Sequence, residues 1–482
     1  MYFVNTSMFK YLVFCQAALQ STLISGIIMR MKRKIYSRLQ EWKASSQGRS
    51  AIMIDGARRV GKSWIAEEFA RNEYDGYLLI DFAKASRDVK GFFNDYLNDL
   101  DTFFMYLLGA YHVQLKPRRS VIIFDEVQRF PRAREAIKYL VADGRYDYIE
   151  TGSLISIRKN VKDIVIPSEE HHVEMFPMDF EEFLWATGNE GMMAIIERAY
   201  GTSSPIGDGM HRRIMDVFRQ YLVVGGMPQA VLRFAESRDL KSVDTEKRDI
   251  IELYRADIFK FGGAARERIL SVFNSIPGAL SRHDRRFSPG TVRKGSGMRN
   301  FTSVFEWLKS AMTVNVAYNA TEPNVGLDMS SDHSSLKCYL GDTGLLVSMA
   351  FRENELIYGD VQQRLLTGRL EVNAGMLYEN LVAQMLRATG NQLYFYTNHD
   401  RNDKANRMEI DFLVAKSILQ RRHNISAIEV KGTGEYETKS LDKFIRKYGR
   451  YLNMPYVLHE KDVRQTGDRL YLPLYMAGLL NR

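Results

Sequence analysis

The chain has 482 residues, 45% hydrophobic and 26% charged, with a formal net charge of +9. Such a length exceeds one ordinary core and implies roughly two to four domains of a soluble globular protein, and the positive balance favours polyanionic partners without naming one. Two cysteines, Cys15 and Cys338, exclude a disulfide framework and a cysteine-based zinc site and fit a reducing, cytoplasmic setting.

The N-terminal run "YLVFCQAALQSTLISGII" (11–28) is apolar but broken by Gln16, Gln20, Ser21 and Thr22. It falls short of a clean membrane span of about 20 apolar residues. Only Lys10 precedes it and "MRMKRK" follows, the reverse of a signal peptide's charge order. Residues 1–30 are therefore expected to be an upstream extension outside the fold, with the true start at Met29 or Met31. A membrane anchor and an ordinary helix are the alternatives, and no membrane partner is expected unless 11–28 is an expressed anchor. "KRKIYSRLQEWKAS" then reads as an amphipathic helix.

"SAIMIDGARRVGKSWIAEEFA" (50–70) reads as strand, loop and helix. Gly56, Ala57, Arg58, Arg59, Val60, Gly61, Lys62 and Ser63 fit G-x-x-x-x-G-K-[ST] at every position, with Trp64 next. Glycines let backbone N–H groups turn towards a phosphate at a helix N-terminus. Lys62 is expected to bridge β- and γ-phosphates and Ser63 to hold Mg²⁺.

"YLLIDFA" (77–83) predicts a buried strand, and "SVIIFDEVQRF" (120–130) another, ending in Asp125 and Glu126. Ligands in parallel sheets bind at the carboxyl ends of strands, where these acids fall. Asp125 is expected to serve the Mg²⁺ shell and Glu126 to polarise the attacking water. "YDYIETGSLIS" (146–156) ends a strand with Thr151 and Ser153, whose hydroxyls are candidates to sense the γ-phosphate or simply to cap a turn. "EEHHVEMFPM" (169–178) supplies a fifth strand, and the strand–helix alternation predicts an α/β parallel sheet of the P-loop type over 31–180.

"GARRVGKS", "IIFDEVQ", "TGSLIS" and "FPMDFEEFL" together resemble the prokaryotic AAA-type P-loop ATPases with a C-terminal domain of unassigned function. "YLVVGGMPQAV" (221–231), "YLGDTGLL" (339–346) and "LYENLVAQML" (377–386) resemble that family's later landmarks, so the likeness spans roughly 31–482. It implies ATP as substrate, Mg²⁺ as cofactor, and an arginine completing the site, in some members from a neighbouring subunit of a homo-oligomer. Arg129, Arg132, Arg134 and Arg158 are the candidates.

Residues 181–265 read as helical. In 266–350, two helical stretches followed by strand-like "VNVAYNA" and "SLKCYL" predict a winged helix. Its loop 281–299 carries Arg282, Arg285, Arg286, Arg293, Lys294 and Arg299 against Asp284, a candidate DNA-phosphate contact. A solvated face or a protein contact are the bland alternatives.

In 370–482 a helix with Glu379 precedes strands "QLYFYTN", "RMEIDFLVAK" and "NISAIEVKG" and a further helix. On alternating strands Asp411 shares a face with Glu409, and Glu429 with Lys431. This order resembles the PD-(D/E)xK restriction-endonuclease-like α/β fold. The resemblance implies Glu379, Asp411 and Glu429 as metal ligands and Lys431 as a catalytic residue. The expectation is an Mg²⁺-dependent ATPase acting on DNA through 281–299 and the C-terminal domain, with nuclease activity left open. The alternative is a nucleotide-operated switch whose C-terminal domain is an inactive protein-interaction module.

Overall fold

The computed structural model describes residues 31–152, 169–324, 326–351, 355–369, 374–398, 406–415, 425–432 and 436–480. Residues 1–30, Ser153 and Arg158 lie outside them. No described helix is long and apolar enough to cross a membrane.

Helix α1 (Ile35–Ser46) buries Ile35, Leu39 and Trp42 at the spacing of one helical face. Strand β1 (Ala51–Gly56) leads through the glycine-containing loop into helix α2 (Lys62–Glu73). Strands β2 (Gly76–Asp81), β3 (Ser120–Asp125), β4 (Asp147–Gly152) and β5 (Glu170–Met175) complete a five-stranded sheet, with helix α3 (Pro131–Asp143) between β3 and β4. Strand order is β2-β3-β4-β1-β5, and every pairing is parallel. Strands β1, β3 and β4 are buried at every position, as central strands covered on both faces must be.

Helices α4 (Asp208–Val224), α5 (Pro228–Ser237) and α6 (Leu240–Phe261) make up most of the following helical region. Strands β6 (Val314–Ala320) and β7 (Ser331–Leu340) then pair antiparallel, as a hairpin should. The expected wing is corrected here. β6 gives its second edge to β8 (Leu393–Asn398) in parallel pairing, and β9 (Met408–Ala415) and β10 (Ile425–Val430) continue the same sheet. With β11 (Tyr456–His459), β12 (Arg464–Thr466) and β13 (Arg469–Pro473) it has eight strands, ordered β12-β13-β11-β10-β9-β8-β6-β7. The physical reason is burial: β6 hides five of its seven residues, which a free wing could not do. The proposed boundary between 266–350 and 370–482 therefore cuts through one sheet. Helix α7 (Ala374–Ala388) packs on that sheet with twelve of its residues buried, and α8 (Lys439–Tyr448) follows β10.

Three sequence landmarks meet at one buried point. Gly225 (φ 82°) and Gly226 close α4; a Cβ on Gly225 would fall 2.3 Å from Asp342 Oδ1, and one on Gly226 would fall 2.1 Å from Met178 O. Only glycine fits both approaches. Asp342 Oδ2 accepts from Gly226 N at 2.6 Å and from Gln384 Nε2 on α7 at 3.3 Å, and Asp342 Oδ1 accepts from Leu345 N at 3.0 Å. Asn380 Oδ1 accepts from Leu340 N at 2.8 Å, and Lys247 Nζ on α6 donates to Val223 O at 2.8 Å. Burial pushes the Asp342 carboxyl up, against the opposing pull of its amide donors and of Lys247.

Asp342→Ala leaves buried N–H groups without an acceptor, and the expected loss is roughly 3 kcal/mol, read as a lower urea-unfolding midpoint. Asp342→Asn retains one oxygen and is expected to lose less.

Candidate active site

The loop after β1 needs two unusual backbone turns. Arg59 adopts φ 71° and Gly61 φ 96°, and Gly61 caps the N-terminus of α2. The Arg33 guanidinium holds this loop from outside, donating to Val60 O at 2.8 Å and Phe176 O at 2.7 Å, and pairs with Glu182 at 3.1 Å. Lys62 Nζ donates to Gly56 O and Ala57 O, both at 2.9 Å, so its ammonium lies across the loop's hollow. Burial lowers its pKa, while Glu126, Asp55 and Asp125 oppose that shift.

Asp125, at the carboxyl end of β3, receives Ser63 Oγ on Oδ1 at 2.6 Å, and the Thr151 hydroxyl from the end of β4 donates to the same oxygen. Glu126 N donates to Thr151 Oγ1 at 3.3 Å. Glu126 sits at φ 54°, and Gln128 Nε2 donates to its Oε2 at 2.7 Å. Lys62, Ser63 and Glu126 line one cavity of about 450 Å³, walled by Met31, Pro228 and Leu232. Gly56, Ala57, Arg58, Arg59, Val60 and Trp64 fall on the same loop and helix start; Trp64 is 37% exposed at its rim.

A hydroxyl and a carboxylate at the carboxyl end of a strand are the hard oxygen donors that Mg²⁺ prefers, so Ser63 and Asp125 fit that ion. Thr151 is seen holding Asp125 and Glu126 rather than facing the cavity itself.

Of the arginine candidates, Arg134 is buried and paired with Glu170 at 2.7 Å, and Arg132 pairs with Glu135 at 2.7 Å. Arg129 is exposed three residues beyond Glu126. Sequence reading missed the contact that fixes Arg58: its guanidinium meets Asp257 of α6 at 2.7 Å, and Tyr254 OH donates to Arg58 O at 3.1 Å. Nothing in the sequence marks that pairing, since 199 positions separate the partners. Gln128 was missed as well, although its place in "DEVQ", two residues past Glu126, is a local signal that could have pointed to it.

Behind the loop, His172 bridges Asp55 Oδ2 at 2.8 Å and Glu170 Oε1 at 2.5 Å. Those two bonds raise its pKa to about 9 against the opposing effect of burial. Burial alone would raise Glu170, but hydrogen bonds from His172 and Arg134 outweigh it and bring it to about 2. Glu150 is fully buried, and burial with Glu170 beside it holds its carboxyl well above the usual range.

The C-terminal candidates come together differently from expectation. Ile428 pairs with Phe412, which sets Glu429 and Asp411 on neighbouring strands, and Asp411 Oδ2 accepts from Val430 N at 2.8 Å. Glu429 is met by Lys431 at 3.0 Å and by Leu441 N at 3.1 Å, and burial raises its pKa to about 7, with Lys431 opposing and Asp411 adding. Glu379 is turned instead to Lys337, at 3.1 Å, and to Arg285 and Tyr339. Lys337 also lies 2.8 Å from Glu409 and 3.7 Å from Asp411. Among the described residues no group of three or more acids, histidines or cysteines is arranged to hold a metal ion. Of the expected metal set Glu379, Asp411 and Glu429, the last two are brought onto neighbouring strands, while the Lys337 ammonium lies between Glu379 and Asp411.

Residues 48–184 match the family described as an AAA domain. This part of the chain is an AAA-type P-loop ATPase domain. Residues 215–356 and 374–476 match two further families, each described only as a domain of unknown function. No curated protein matches. Solved structures similar to the chain include the Walker-type ATPase PABY2304 of Pyrococcus abyssi, at 14% identity and TM-score 0.39, covering 66% of this chain and 95% of that one. The Aeropyrum pernix ORC1 protein in complex with DNA is similar at 11% identity and TM-score 0.25, covering 70% and 93%. Drosophila ORC bound to DNA is similar at 11% identity and TM-score 0.27, covering 70% and 96%.

The ATPase domain carries a pH test. Folding raises His172 above its ordinary 6.5, so its contribution is complete below that value and is lost as pH rises through about 9. The thermal-midpoint advantage of the parental protein over His172→Gln is expected to shrink across that window.

Proposed function

We propose that the chain is an Mg²⁺-dependent ATPase whose helical and C-terminal parts act on or with DNA. The single supporting observation is that Lys62, Ser63 and Glu126 face one cavity while Asp125 ties Ser63 to Thr151. Ser63 and Asp125 would hold Mg²⁺, which would neutralise charge on the phosphates.

The chain's own groups do the rest. Backbone N–H groups of Gly56–Ser63 cradle the phosphates, and Lys62 exchanges its two carbonyl partners for phosphate oxygens. Glu126, held by Gln128, orients and polarises the attacking water. Met31, Pro228 and Leu232 form an apolar wall against which a nucleobase stacks. Pro228 and Leu232 come from α5, so base binding engages the Gly225–Gly226 turn and the Asp342 junction. Arg58, held by Asp257, links the phosphate loop to α6.

The DNA part of the reading rests on charge. Arg282, Arg293, Lys294 and Arg299 are exposed on one basic segment of a chain with net charge +9. Phosphate contact of this kind is independent of sequence and sensitive to salt. No cutting step is assigned to the C-terminal domain, where the Lys337 ammonium stands between Glu379 and Asp411. A nucleotide-operated arrangement, in which that domain engages a partner without cutting it, agrees with this closed carboxylate set.

Lys62→Ala is expected to abolish retention of Mg-ATP in equilibrium dialysis. Glu126→Gln is expected to bind it and to lower kcat by roughly 10²–10⁴-fold, the usual worth of a positioned base; turnover at the parental rate would remove Glu126 from this role. Replacing Arg293, Lys294 and Arg299 by alanine is expected to weaken duplex DNA retention and flatten its log–log salt slope by roughly 2–3. An unchanged slope would place DNA elsewhere.

A further inference from the structure

The closed carboxylate set has its own architecture. Glu379 is 0% exposed and Lys337 1%, so neither is neutralised by solvent. A buried charge persists only with partners. Lys337 Nζ reaches Glu379, Glu409 and Asp411, from helix α7 and strand β9, while Arg285 meets the second oxygen of Glu379.

Arg285 comes from the basic segment, and the way it arrives is specific. Arg286 forms an antiparallel bridge with Lys337, and Phe287 N donates to Leu336 O at 2.9 Å, so 286–287 lie along the outer edge of β7. Arg285 takes φ 48° to turn inward. Gly375 on α7 makes room: a Cβ there would fall 2.8 Å from Arg285 Nη2. Phe287 then packs edge-on against Phe301 and Phe305, with centroids at 5.3 and 4.8 Å.

We infer that Lys337 and Arg285 are the resident cations of this carboxylate set, so the domain works there without a divalent metal. The set is the socket that holds the basic segment on the edge of the larger sheet. Two positive charges already stand among Glu379, Glu409 and Asp411. A divalent ion would have to enter beside the Lys337 ammonium or displace it from a buried position. The socket also divides the segment's arginines by role: Arg285 is anchored inward, while Arg282, Arg293, Lys294 and Arg299 stay in solvent. This inference stands apart from the ATPase reading, since it uses no residue of the nucleotide site.

Two measurements test it on the full chain without nucleotide, with Asp125→Asn in every protein to silence the phosphate-loop site. In Mn²⁺ titration followed by EPR of the free ion, the protein with Lys337 and Asp411 intact is expected to show no saturable site. Lys337→Met, which removes the ammonium and leaves the carboxylates, is expected to gain one. A saturable site with Lys337 present that disappears in Asp411→Asn overturns the inference, whether or not Lys337→Met folds; so does a folded Lys337→Met that gains none. In limited trypsin digestion, Arg285→Gln and Glu379→Gln are expected to speed cleavage within 281–299 by on the order of tenfold or more, as an edge segment loses its anchor. Cleavage at the parental rate in both overturns the socket.

Discussion

The nucleotide site depends on one carboxylate. Asp125 sits at the end of a fully buried strand and accepts hydroxyl hydrogen bonds from the first turn of α2 and from the end of β4. Three elements of the nucleotide site are thereby fixed to a single oxygen. Glu126 follows directly, and its left-handed backbone turns the second acid away from the strand towards the cavity. Without the Asp125 contacts, Lys62 and Glu126 would still be present but not held in mutual position, and positioning is most of what phosphoryl transfer asks of a protein.

A second buried carboxylate joins that site to the rest of the chain. Asp342 pins the Gly225–Gly226 turn immediately before α5, whose Pro228 and Leu232 wall the cavity, and it also meets Gln384 on α7. Five residues earlier on α7 is Glu379, anchor of the basic segment. The nucleotide wall, the polar junction, α7 and the socket are thus physically contiguous. Contiguity supplies a route for coupling, and a measured change at one end with nucleotide at the other is what would give it a magnitude.

What could be read from the sequence was what is local. The phosphate loop is eight consecutive residues whose spacing is its function, and the acid pair follows an apolar run that only a buried strand explains. Strands β1, β3 and β4 were legible for the same reason, whereas β2, expected to be buried, and β5 lie at the sheet's edges and bury two residues each. The hairpin at 314–340 was legible as a hairpin but not as part of a larger sheet, because period-two alternation is the same in a wing and in a sheet whose next neighbour lies over fifty residues on. Asp411 and Glu429 were read as facing each other across strands, and β9 and β10 do pair there, but the cation that meets Asp411 was not foreseen. The deciding residue, Lys337, appears in "SLKCYL" as one charge in an apolar run and acquires meaning only when α7 and β9 arrive around it. Arg58–Asp257 and the Asp342 junction likewise join residues more than a hundred positions apart, where only the fold can place them.

The most direct test of the central claim measures the metal dependence of nucleotide affinity. Nucleotide dissociation constants should be compared in Mg²⁺ and in EDTA for the parental protein, Ser63→Ala, Asp125→Asn and the double variant. If Asp125 and Ser63 act as one unit, Mg²⁺ tightens binding in the parental protein, the effect is largely lost in each single variant, and the double variant loses little more. Mg²⁺-assisted binding that survives intact in Asp125→Asn would contradict the account.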